Sequence, residues 1–201
     1  TKSDIGVMIT ASHNPAKYNG YKVYGSDGCQ LADDGALEMI GYINEIDPFD
    51  VATGTLEEYI ESGEVEYIAD EIIASYLDEV FARRNALAEG LSVTYTPLNG
   101  TGYKLVPEIL RRMKVSSLDM VAVQSTPDGH FTTCPYPNPE KAAALKLGLE
   151  AAERNGSDIL IATDPDCDRV GIAVKTSEGY KLMTGNEVGV LLTDYLLRVR
   201  K

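Results

Sequence analysis

The chain has 201 residues, 44% of them hydrophobic and 24% charged, which suits a soluble globular protein with one large core or two small ones. Its net charge of −13 is carried by the first half: residues 1–90 hold 18 acids and 5 bases, while residues 91–201 hold 13 of each. The acidic half argues against nucleic acid as a partner, and no apolar run nears the ~18 residues of a membrane span. A small phosphorylated ligand stays open, because it needs only a few placed cations and a metal.

The first residues, Thr1-Lys2-Ser3-Asp4, carry neither a secretory signal nor an initiator Met, so the chain is expected to be processed or cut from something longer. Gly6–Thr10 reads as a strand ended by Asn14-Pro15, and Tyr21–Tyr24 as a second strand. Gly25-Ser26-Asp27-Gly28 is a turn signal, with Cys29–Leu31 as a returning hairpin partner. Asp33 and Asp34 open a helix that runs to about Ile46, where Asp47-Pro48 ends it. Val65, Ile68, Ile72, Tyr76, Val80 and Leu87 recur at helical steps, which predicts a helix over 65–88.

Beyond residue 90 the pattern alternates. Strands are expected at Ser92–Thr96, Asp119–Gln124, Asp158–Thr163 and Arg169–Lys175. Helices are expected at Tyr103–Met113, at Pro139–Asn155 with Asn138 as its cap, and at Asn186–Arg200. The alternation predicts an α/β fold of mixed sheets with helices on both faces. Val188, Leu191, Leu192, Tyr195, Leu196 and Val199 give the last helix one apolar stripe, a surface for a dimer if nothing else covers it. Cys29, Cys134 and Cys167 have neither zinc spacing nor a disulfide framework, and reduced thiols in a cytoplasm are the plain expectation.

Two stretches carry chemistry. In "GVMITASHNP", residues 6–15, a strand-like run delivers Ser12 to a loop beside His13. In "ILIATDPDCDRVGIAV", residues 159–174, Asp164, Asp166 and Asp168 crowd three carboxylates into five residues between apolar strands. That crowding is unfavourable without a cation, and hard oxygen donors suit Mg²⁺. An EF-hand is excluded, because the sixth and twelfth positions counted from Asp164 are Arg169 and Lys175 in place of Gly and Glu. A serine at a strand end together with a carboxylate metal loop suits phosphoryl transfer, with His13 and Lys22 as local bases. An Asp-nucleophile phosphatase using Asp164 and a silent binding module stand as rival readings.

"GVMITASHNP", "YNGYKVY", "YPNPE", "TDPDCDRVGIAV" and "TGNEVGVLL" together resemble the α-D-phosphohexomutase superfamily, in the branch that includes phosphoglucomutases and phosphopentomutases. The resemblance implies that Ser12 carries the phosphoryl group and that Asp164, Asp166 and Asp168 hold Mg²⁺ with an oxygen on Ser12. It implies that Arg169 contacts the phosphoryl group or sugar phosphate, and that His13 and Lys22 assist proton transfer. The implied substrate is a phosphosugar, whose phosphate moves between C1 and C6 of glucose through glucose 1,6-bisphosphate; the alternatives within the superfamily are phosphopentomutase and phosphomannomutase.

Such enzymes have four domains. By resemblance, residues 1–64 are the end of the first domain with the serine loop, 65–90 a linking helix, 91–184 the second domain with the metal loop, and 185–201 the first helix of the third. With the sugar- and phosphate-binding loops of the later domains absent, the isolated chain is expected to lack useful turnover. Asn99 stands where relatives often carry His in the pattern TP-x-H-G.

Overall fold

A computed structural model describes residues 2–200, and the chain divides into two compact units. The first comprises residues up to Ile9 and Tyr21–Tyr76; the second comprises Thr10–Gly20 and Leu77 onward.

In the first unit, β1 (Gly6–Ile9) pairs antiparallel with β2 (Tyr21–Tyr24), Gly6 facing Tyr24 and Ile9 facing Tyr21. The turn at Gly25–Gly28 is present, and the expected third segment contributes a single bridge, Tyr24 to Gln30. Helix α1 (Asp33–Asn44) has both aspartates in its first turn, where they meet the positive end of the helix dipole; Ala32, which offers no side-chain cap, precedes them. A short helix not anticipated from the sequence, α2 (Leu56–Ser62), has a complete signature: Thr55 and Glu58 form a capping box and Gly63 ends it in the left-handed conformation.

The expected 65–88 helix is shorter, α3 (Asp70–Ala82). The apolar spacing continues past it, but the last turn tightens, with the Arg83 N–H on the Val80 carbonyl at 3.1 Å and the Arg84 N–H on the Phe81 carbonyl at 3.2 Å, and the Ala88 N–H beyond it donates to the Met113 carbonyl at 2.8 Å.

The second unit is built on a five-stranded sheet of order β4-β3-β5-β6-β7. Its strands are β3 (Ser92–Thr96), β4 (Ser117–Met120), β5 (Ile159–Thr163), β6 (Val170–Thr176) and β7 (Gly179–Met183). β3 runs parallel to β4 and β5, while β6 and β7 add antiparallel. The fold is therefore mixed α/β, as the alternation predicts. Helices α4 (Leu105–Arg112) and α5 (Ala142–Asn155) occupy the β3–β4 and β4–β5 crossovers, and α6 (Gly185–Val199) follows the sheet.

Several other boundaries differ from the sequence expectation, some by a residue or two and some for a local reason. The strand expected at 119–124 is β4, ending at Met120, because Ala122–Gln124 turn to bury Gln124 against the Thr96 hydroxyl at 2.8 Å. Helix α4 is preceded by a single 3₁₀ turn at Thr101–Tyr103. Helix α5 starts at Ala142 in place of Pro139, because Asn138 accepts from the Glu140 N–H and caps a separate turn. β7 is an added hairpin strand, entered through Gly179 at φ +110°. Helix α6 begins one residue earlier than expected, with Thr184 and Glu187 as its capping box.

The core lies in the second unit. Leu145 and Ala152 of α5 pack with Leu160 and Ala162 of β5 and Ala173 of β6. Val93 and Tyr95 on one face of β3 and Thr94 and Thr96 on the other are all fully buried, as expected of an interior strand covered on both faces. Chain order reverses at β3, which leads to β4 on one side and then, through α5, to β5 on the other. Ligands in open α/β sheets bind outside the carboxyl ends of strands at such a reversal. Replacing Leu160, which is fully buried, with Ala should lower the stability of this unit by about 2–5 kcal/mol; urea unfolding followed by circular dichroism measures it.

Candidate active and metal site

The loop after β5 opens with Asp164, a fully buried carboxylate. Its Oδ1 accepts the backbone N–H groups of Asp168, at 3.1 Å, and Arg169, at 2.9 Å, and its carbonyl accepts the Cys167 N–H at 2.9 Å. The loop therefore folds around its own first carboxylate. Cys167 takes φ +62°, a left-handed conformation that costs a non-glycine residue about 1 kcal/mol or more and persists only where surrounding bonds enforce it. Burial raises the Cys167 thiol above its ordinary pKa, and the neighbouring aspartates add to the shift. Cys29 and Cys134 are also free thiols, the first exposed and the second buried.

Oxygens of Asp164, Asp166 and Asp168 lie within 4.8 Å of one another, with burial falling in that order along the chain. All three donors are hard carboxylate oxygens, so the set fits a divalent cation of the Mg²⁺ class. Without such an ion, burial holds the Asp164 carboxyl up at about 6; its hydrogen bond with Asp166 adds to this, and the bonds from Ser12 and the Arg169 backbone work against it.

The loop Thr10–Gly20, which belongs to the same unit, brings the serine. Ser12 Oγ donates to Asp164 Oδ2 at 2.7 Å across 152 residues of sequence. His13 Nδ1 is 3.3 Å from the same hydroxyl. Ser12 is itself left-handed, at φ +53°. Thr10 fixes it there: Thr10 Oγ1 accepts the Ser12 N–H at 2.8 Å and donates to Asp166 Oδ2 at 3.3 Å. The sequence reading treats Thr10 as the last strand residue, although β1 ends at Ile9. Its position two residues before a left-handed serine, the arrangement of a hydroxyl-capped turn, is the signal that would have found it.

The structure thus gathers Ser12, His13, Asp164, Asp166 and Asp168 in the second unit. Arg169 joins through its backbone N–H, and its side chain is exposed. Lys22 lies on β2 of the first unit, opposite Met8. The arrangement offers an oxygen nucleophile or phosphoryl carrier, an imidazole in reach of it, and three anionic ligands for a cation.

The titration of Asp164 sets a pH dependence. In the metal-free protein its carboxyl binds a proton more tightly folded, at about 6, than at its ordinary value of 3.8. Stability from this group is therefore fully present below pH ~4 and is lost as pH rises through ~6. Asp164→Asn should remove that decline, so the stability difference between wild type and variant, followed by thermal melts without divalent cations, should change between pH ~4 and ~6.

Residues 74–179 match the profile of the phosphoglucomutase/phosphomannomutase family, alpha/beta/alpha domain II, and residues 1–49 match its alpha/beta/alpha domain I. The chain is 37% identical over 190 residues to a phosphoglucomutase of Staphylococcus saprophyticus, covering 93% of this chain and 34% of that protein. It is 35% identical to a phosphoglucomutase of Staphylococcus aureus over 96% of this chain and 35% of that protein. The chain therefore spans about a third of the length of the curated relatives it matches. In fold it resembles a phosphoglucomutase/phosphomannomutase family protein of Burkholderia thailandensis, with TM-score 0.67, 19% identity, and coverage of 98% of this chain and 39% of that one. It also resembles Aspergillus fumigatus N-acetylphosphoglucosamine mutase, solved in complex with GlcNAc-6P and magnesium, with TM-score 0.55, 18% identity, and coverage of 98% of this chain and 48% of that one. With more than half of its residues matched by one domain profile of that family, the chain belongs to the phosphoglucomutase/phosphomannomutase family.

Proposed function

We propose that this chain supplies the phosphoserine and metal portion of an enzyme that interconverts glucose 1-phosphate and glucose 6-phosphate. The observation that carries the reading is the 2.7 Å bond between Ser12 Oγ and Asp164 Oδ2, within a cluster whose carboxylate oxygens lie within 4.8 Å of each other. The curated relatives named phosphoglucomutase support the reaction, and the magnesium in the fungal mutase complex supports the metal.

Asp164, Asp166 and Asp168 would hold Mg²⁺, with Ser12 contributing an oxygen. Bound there, the ion would offset negative charge on a phosphoryl group. The chain's own residues do the rest. Ser12 Oγ carries the phosphoryl group. A sugar hydroxyl attacks phosphorus, a new O–P bond forms, and the Ser12 O–P bond breaks. The proton leaving the sugar hydroxyl returns to Ser12 Oγ, and His13, 3.3 Å from that oxygen, is placed to pass it. The reverse transfer, from the other phosphate of glucose 1,6-bisphosphate onto Ser12 Oγ, forms a new Ser12 O–P bond, breaks the sugar O–P bond, returns the proton to the sugar oxygen and restores the phosphoserine. Arg169 and Lys22 are proposed to contact the phosphosugar and assist proton transfer, respectively.

Asp164 suits an anchor better than a nucleophile, since both of its oxygens already accept hydrogen bonds. The four-part division at residues 64, 90 and 184 belongs to the same proposal, as does self-association through α6, where Leu191, Leu192 and Tyr195 are exposed.

Incubating the protein with glucose 1,6-bisphosphate and mapping peptides by mass spectrometry should find phosphate on Ser12. In the full-length parent, Ser12→Ala should lower turnover of glucose 1-phosphate more than about a thousandfold. An acyl-phosphate on Asp164, or unchanged turnover, would contradict the proposal.

A further inference from the structure

The segment that follows β3, Pro97–Tyr103, runs beside the carboxylate loop and has no part in the chemistry above. Its fixed points are numerous. Leu98 and Asn99 are left-handed, at φ +47° and +60°, and both are buried. The Leu98 N–H donates to Thr96 Oγ1 at 3.1 Å. The Asn99 N–H donates to the Gln124 carbonyl at 3.0 Å, its Nδ2 to the Thr126 carbonyl at 2.9 Å, and its Oδ1 accepts from Thr133 Oγ1 at 2.8 Å. Two strained residues held this firmly make a rigid strap.

What the strap touches follows the alternation of the loop. The ligands are Asp164, Asp166 and Asp168; the residues between them are Pro165 and Cys167. Thr101 donates twice to the Pro165 carbonyl, from its N–H at 2.8 Å and its Oγ1 at 3.0 Å. Pro165 is buried, so without these donors its carbonyl would be an unpaired acceptor. Gly100 lets the strap approach: a Cβ there would stand 2.6 Å from the Pro165 oxygen. Gly102 does the same beside the second intervening residue, where a Cβ would stand 3.0 Å from Cys167 Sγ.

We propose that Thr101 is a positioning residue, which grips the Pro165 carbonyl from the strap and so holds the three carboxylates in the arrangement that receives a cation. The proposal rests on the cation reading of the loop. Asp164 closes the loop from inside, through its bonds to the Asp168 and Arg169 amides; Thr101 fixes it from outside, to an element whose own conformation is set by β3 and the 123–133 segment.

The test is hydrogen–deuterium exchange, resolved at the Cys167, Asp168 and Arg169 amides, paired with titration of Mg²⁺ into the same chain. Thr101→Val keeps the side-chain shape and removes one of the two donors. It should speed exchange at those three amides about tenfold, leave the α5 amides unchanged, and weaken Mg²⁺ binding by a similar factor. Thr101→Ser should restore both. If the Val variant does not fold, Thr101→Ala serves instead, because it removes the same hydroxyl donor, adds no atoms and leaves the Thr101 N–H on the Pro165 carbonyl. Loop exchange unchanged in the folded variant, or exchange accelerated equally in α5, would overturn the positioning role. A wild-type chain that takes up no Mg²⁺ while Thr101→Val still loosens the loop would remove the cation reading and leave the strap's role standing.

Discussion

Three carboxylates separated by single residues repel one another, and the local structure of the second unit answers that repulsion. Two unit charges at ~4 Å oppose each other by about 4 kcal/mol at an effective dielectric of 20. Asp164 meets the constraint by accepting two backbone N–H groups and the Ser12 hydroxyl. Burial first, and Asp166 after it, still raise its proton affinity against these donors, and a divalent cation would offset both. The serine is therefore tied to the acidic loop by the same charge that defines the metal site. Thr10 adds a second tie, because one hydroxyl serves both the Ser12 amide and the Asp166 carboxylate.

The sheet explains why this occurs at one place. β3 and β5 are parallel neighbours, with Thr96 beside Ala162, so the segments leaving their carboxyl ends emerge side by side. One becomes the strap and the other the carboxylate loop. The core of α5 against β5 and β6 fixes the strand from which the loop departs, and the hydroxyl pair Tyr95–Thr163, at 2.8 Å, packs beneath it. Strain collects here as well: Ser12, Leu98, Asn99 and Cys167 are four of the six described non-glycine residues with positive φ. Backbone held out of its preferred regions is a common property of functional sites, where fixed geometry outweighs local stability.

Much of this was legible in the residues. Ser12 and Asp164, 152 positions apart, belong to two motifs that phosphoryl-transfer chemistry and the family resemblance together pair, and their side chains are in hydrogen-bond contact. The mixed α/β class followed from the alternation of apolar runs. Less legible were features decided by tertiary bonds. The segment after α3 is held by the Ala88 N–H on the Met113 carbonyl, and the start of α5 depends on Asn138 capping an earlier turn. Thr101 carries no motif that marks it; it acts on the backbone of Pro165, 64 residues away, which spacing does not reveal. The capping boxes of α2 and α6 were readable as T-x-x-E, and the sequence reading passed over both.

The central claim is that one divalent ion joins a serine oxygen to three aspartates. Anomalous diffraction from crystals soaked in Mn²⁺, which takes the oxygen ligands of Mg²⁺, tests it most directly. The account predicts a peak among Asp164, Asp166 and Asp168, with Ser12 Oγ or a phosphate on it in the coordination shell. An ordered loop with no peak, or a peak whose shell omits the serine oxygen, would contradict it.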